Sequence, residues 1–196
     1  MIPLGIYTQE DRERSEKAIQ GFYRRPEDIR LILDGFRYRA DWKEDYRIQS
    51  FRSALHSACI TCLDAAILSY GLLELFFPHL KRRLLAIHRR DAQGEECGHC
   101  VTLYWNDTGL IGAFGKSSWE GLGHRDALYS DVFQVATTYA EAYRKLKIEP
   151  LYFGVTTLEE IADDLDWRFS AQAINSLSER LKEKYAYEFV QTKMPA

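Results

Sequence analysis

At 196 residues, with 46% hydrophobic and 28% charged side chains, the chain is long enough for one domain with a sizeable core, or one domain carrying a helical appendage. A net charge of −3 at pH 7 offers no general pull toward nucleic acid or anionic membrane, and no Gly/Ser, Gln/Asn or Pro-rich tract signals disorder. The opening MIPLGIYTQEDRERSEK lacks a basic segment followed by an apolar one, so a cytoplasmic setting is expected; there the four cysteines read as core residues, metal ligands or a nucleophile rather than disulfides.

Residues 8–56 are charge-rich and helical in rhythm. Thr8 can cap a first helix, and Pro26 in RRPEDIRLILDGF suits the first turn of a second. Acids and bases alternate without a block of one sign, as on a solvated helical face. Gln49, Arg52 and His56 stand before the first cysteines, where they could line an oxyanion site or simply face solvent.

From Thr61 the pattern changes, because Leu63, Ala66, Ile67, Tyr70, Leu73 and Phe77 recur at helical spacing until Pro78 stops the run. Thr61-Cys62-Leu63-Asp64 has the form of a capping box, which puts Cys62 at the first helical position. A competing parse starts the helix at Ser53 or Ser57 and buries Cys62 mid-helix. The run LDAAILSYGLLELFFP is interrupted by Asp64, Ser69 and Glu74 and is too short to span a bilayer, so it reads as a buried helix.

After Pro78 the period shortens. RRLLAIHRR, GHCVTLYW and GLIGAFGKS are three strand-like runs, joined by DAQGEEC and by the turn NDTG, and they predict an antiparallel meander packed on the apolar helix. His88 falls in the first run, while Trp105 and Trp119 could wall a cleft or fill the core. The remainder reads as helical: DALYSDVFQVATTYAEAYRKL, then TTLEEIADDLDW capped at Thr156 or Thr157, then FSAQAINSLSERLKEKY from near Ser170. The expected class is α+β, with a helical N-terminal part, a central apolar helix on a small meander, and a helical C-terminal part. Residues 1–155 form the domain and 156–196 a helical hairpin packed on it. That hairpin resembles a helix-turn-helix in outline, but Glu159, Glu160, Asp163, Asp164 and Asp166 would repel phosphates.

Two chemistries suit the cysteines. Cys59, Cys62, Cys97 and Cys100 form two CxxC pairs that could hold structural zinc, with His99 replacing one. A strand from Gly98, however, points Cys100 to the face opposite His99, so the four thiols converge poorly. Alternatively, Cys62 at a helix N-terminus gains thiolate character from the dipole and free amides, and His99 on an adjacent strand could take and return the proton.

The order of Cys62 opening CLDAAILSYGLL, the histidine strand GHCVTLYW and a hairpin into GLIGAFGKSS resembles the transglutaminase-like cysteine proteinase superfamily. The stretch GAFGKSSWEGLGHRDALY followed by VATTYAEAY is similar to an uncharacterised bacterial branch of it. The resemblance covers roughly residues 50 to 165 and implies a papain-like fold with Cys62 as nucleophile and His99 as base. The usual orienting acid after the histidine strand is missing from GKSS, which leaves Ser118 and Asp126 as alternative orienters. The expected function is hydrolysis or transamidation of a peptide or small amide substrate through a thioester. No cofactor, nucleic acid or membrane partner is expected, and the oligomeric state is open. The alternative is a binding or scaffold domain that has lost catalysis with its acid.

Overall fold

A computed structural model describes residues 25–39, 48–90, 96–162 and 166–169. A 3-10 turn at Pro26–Asp28, opened by the proline as expected, leads into helix α1 (Ile29–Gly35). Strand β1 (Arg37–Tyr38) follows, and a short helix α2 (Phe51–Leu55) is capped by Ser50, whose side chain accepts from the Ser53 amide. Strand β2 (Cys59–Ile60) pairs in parallel with β1. Helix α3 (Cys62–Phe76) then begins with the capping box expected of Thr61 and Asp64.

Helix α3 is buried on every side from Asp64 to Glu74, which is why its residues show no polar face. Gly71 belongs to that enclosure: a Cβ at this position would fall inside the Phe51 ring, so glycine lets α2 approach the helix. The strands after it are β3 (Arg82–Arg90), β4 (Glu96–Trp105), β5 (Ile111–Phe114) and β6 (Arg125–Tyr129). Between β4 and β5, Asn106 Oδ1 accepts from the Thr108 and Leu110 amides at 3.1 and 2.9 Å, and Gly109 takes a φ of 81°, so NDTG is the expected turn.

Helix α4 (Val132–Lys145), capped by Asp131, crosses over to β7 (Glu149–Thr156), and α5 (Leu158–Ala162) follows. Thr157 caps α5, accepting from Glu160 N at 3.0 Å while Glu160 Oε2 accepts from Thr157 N at 2.9 Å. The principal sheet has five described strands in the order β6-β5-β4-β3-β7, every neighbour antiparallel.

This architecture overturns the expected fold class. A curled antiparallel sheet dominates the molecule, in place of a helical N-terminal part and a central helix resting on a small meander. DALY, expected in a helix, forms β6, and EPLYFGVT, lying between two expected helices and assigned to neither, adds an edge strand beside β3. The physical reason is that the sheet is covered twice. Leu84, Ala86, Cys100, Tyr104 and Phe114 pack with α3, while Leu85, Ile87, Val101, Leu103 and Ala113 pack with α4. The cap at Thr8 and the helix from Ser170 lie outside the described residues, as does most of the expected C-terminal hairpin. Its described part is anchored: Trp167 is buried edge-on to Tyr70 at 5.7 Å, and Arg168 holds Glu74 at 2.7 and 3.0 Å. No helix among the described residues is long and apolar enough to cross a membrane.

Candidate functional site

Cys62 occupies the first position of α3, and the loop before it is bound tightly to the helix start. Asp64, fully buried, accepts from Gln49 N at 2.7 Å, Thr61 N at 2.9 Å, Thr61 Oγ1 at 3.0 Å and Gln49 Nε2 at 3.5 Å. Gln49 Nε2 also donates to Cys59 O at 3.0 Å. Gln49 therefore acts as a clasp on the chain entering the helix rather than as a group pointed at a substrate.

Three donors near Cys62 favour its thiolate: the Cys100 amide, the Leu63 amide and the Tyr38 hydroxyl. Tyr38 arrives through the β1-β2 pairing, which sets it beside Ile60, two residues before the cysteine. Part of Cys62 is exposed, but the sulfur lies in dense surroundings. Burial pushes its thiol up, and the nearby Asp64 charge adds to that, against the pull of the donors. Burial likewise pushes the Tyr38 hydroxyl up, followed by the charge of Cys62. Neither group is a ready base.

His99 is elsewhere. Side chains alternate along β4, so Cys100, Thr102 and Tyr104 face α3, with Thr102 Oγ1 donating to Ala66 O at 2.6 Å. Val101 and Leu103 face α4, and His99 shares their side: its ring lies 5.8 Å from Tyr139 of α4, and Nε2 stands 2.8 Å from Leu122 O. A carbonyl only accepts, so Nε2 carries the proton and donates. Burial holds the imidazole down at about 4, with Arg125 and Arg89 adding repulsion against the bond to Leu122. The expected Cys62/His99 dyad is therefore not assembled, because the sheet itself stands between the two side chains.

The expected orienters are also displaced. β5 stops pairing at Phe114, opposite Thr102, and Ser118 sits exposed in the loop beyond. Asp126 is exposed and pairs with Arg30 of α1 at 3.4 Å, turned toward the α3 side of the sheet. The loop that receives His99 is braced by Arg125, which donates to Thr138 Oγ1 at 2.8 Å and to the carbonyls of Gly121 and His124, and by Tyr139, whose hydroxyl donates to Gly123 O at 2.7 Å. His99 is one more fastening of that loop.

His56 ends α2 on the exposed surface, and the Arg52 amide donates to Arg168 O at 3.0 Å. His88 is buried on β3, opposite Gly98. Trp105 lies under Lys81 Nζ at 4.3 Å, and Trp119 under Arg89 at 4.5 Å. For zinc, Cys97 side-chain placement is outside the described residues, and no group of three or more potential ligands occurs among the described ones. Tyr38 is the neighbour that sequence reasoning missed, since FRYRADW carries no sign that two residues there pair with CI. Cys100 was visible as a cysteine but not as the residue facing Cys62.

No family model matches the chain, and no curated protein matches it.

Proposed function

We propose that the chain works as a non-catalytic binding or scaffold domain in which Cys62 is a packed helix-end thiol. The observation that carries this reading is the position of His99, bonded to Leu122 O on the α4 face while Cys62 lies under the α3 face. A thiol that attacks an amide carbonyl at neutral pH needs a base within hydrogen-bond reach or a lowered pKa, and Cys62 has neither. Its ordinary value of 9.0 would already leave only about 1% thiolate at pH 7, and burial reduces that further.

Timed iodoacetamide labelling with peptide mapping tests the reading. Cys62 should label more slowly than free cysteine at pH 7, at a rate that climbs only in alkali and is unchanged in His99→Gln, where the amide can still donate to Leu122 O. Fast, selective labelling of Cys62 at pH 7 that disappears in His99→Gln would overturn it and restore a cysteine hydrolase or acyltransferase acting on a peptide or small amide.

A further inference from the structure

The face of β4 that turns from His99 presents a second thiol to Cys62. Thr102 is fixed to Ala66 by its 2.6 Å hydrogen bond. Two residues back along the strand cover about 6.7 Å, and four residues back along the helix cover about 6 Å, which brings Cys100 level with Cys62. The amide of Cys100 completes the match. β5 ends opposite Thr102, so no β5 residue pairs with Cys100, and its N–H is left on the side where it favours the Cys62 thiolate. The charges of the two thiols act directly on each other. Both are free thiols; Cys100 is 6% exposed, whereas Cys62 retains a solvent-facing portion.

We propose that Cys62 and Cys100 form a redox-active pair, closing into a reversible disulfide when a peroxide enters from the exposed side of Cys62. In the first step the Cys62 sulfur bonds to one peroxide oxygen, the O–O bond breaks, and the departing hydroxide leaves as water with the thiol proton. In the second the Cys100 sulfur bonds to the sulfenic sulfur, the S–O bond breaks, and the hydroxide leaves as water with the Cys100 proton. Two thiols lose two electrons and one peroxide becomes two waters. A dithiol reductant reverses the closure.

The three donors around Cys62 favour the attacking thiolate, and burial makes closure slow near neutral pH and faster in alkali. The resulting bond would staple the start of α3 to the middle strand of the sheet. This inference goes beyond the binding-domain reading; the two share a slow Cys62 thiol, but that reading fails on the labelling of His99→Gln and this one on the disulfide map, so their failures are distinguishable.

The full-length protein, treated with hydrogen peroxide, is quenched with N-ethylmaleimide and mapped by mass spectrometry without reduction. The expected result is loss of two of the four thiols and one cross-linked peptide joining positions 62 and 100, reversed by dithiothreitol. In Cys100→Ser, and in Cys100→Ala should the serine variant fail to fold, Cys62 should proceed to sulfinic acid without a bridge. Sulfinic acid at Cys62 in the wild-type protein with Cys100 still free would overturn the proposal. So would bridges from Cys62 to Cys59 or Cys97 in place of Cys100.

Discussion

Burial of His99 makes folding of this protein sensitive to acid in a window that the imidazole itself defines. The ring is 4% exposed, donates from Nε2 to Leu122 O, and is held down at about 4 by burial, with Arg125 and Arg89 adding to the effect. In the unfolded chain it titrates near 6.5. The folded value is the lower one, so acid protonates the unfolded chain first. The contribution of His99 is therefore complete above about pH 6.5, drains as pH falls toward 4, and changes no further below that. The displacement from 6.5 to about 4, at about 1.4 kcal/mol per pH unit, corresponds to about 3 kcal/mol. The perturbation is His99→Gln, which keeps a donor for Leu122 O and removes the titration. Urea unfolding of both proteins from pH 4 to 8 should give curves whose difference shifts by about 3 kcal/mol across that window, against the variant's flatter profile. The imidazole resonances of His99 should stay in the neutral form down to about pH 4. A His99 that titrates near 6.5, or a difference curve without slope, would refute the placement of this ring in the core and with it the argument against the dyad.

Asp64→Ala removes a carboxylate with four donors and the N-cap partner of Thr61, and should cost about 3 kcal/mol in urea unfolding. A loss below about 1 kcal/mol would mean that the clasp on α3 is ornamental. Glu74, 6% exposed, sits between Arg168 at 2.7 Å and Arg82 at 3.4 Å, so Glu74→Gln leaves two enclosed guanidinium groups short of charge. The expected cost is about 3 to 5 kcal/mol, read as a lowered urea midpoint. Tyr38→Phe withdraws the hydroxyl that lowers the Cys62 thiol, so alkylation of Cys62 at pH 8.5 should slow by about fivefold, the value of one hydrogen bond near 1 kcal/mol. An unchanged rate would place that hydroxyl elsewhere.

How far the sequence could be read depended on whether a feature was local. The capping box at Thr61 and Asp64, the stop at Pro78, the NDTG turn and the Pro26 start were all legible, because each is set by side chains within a few residues of the backbone groups they serve. β7 was missed because LYFGV, between two helical patterns, makes sense as a strand only once β3 is found with an open edge beside it. β6 was missed for a related reason: Arg125, Asp126 and Leu128 break the alternation of a strand, and the register between β5 and β6 is itself irregular. Tyr38 was hidden in the same way, since two residues of parallel pairing leave no period to detect.

The functional question came down to parity along a single strand. Alternation alone says that His99 and Cys100 point to opposite faces; it does not say which of them meets the helix that Cys62 opens. In a sheet with one wet face, polar residues would mark the outside and settle the matter. Here both faces are packed, so Cys100-Thr102-Tyr104 and His99-Val101-Leu103 are equally credible inner sets, and hydrophobicity cannot choose between them. The choice is made by contacts far apart in the chain: Thr102 to Ala66 on one side, His99 to Leu122 on the other. A shift of one residue would exchange them, bringing an imidazole to Cys62 in place of a thiol. Acyl transfer would then have a base beside the thiol, where the structure instead sets Cys100, so it is the register of β4 against α3 that decides which side chain the helix-end thiol meets.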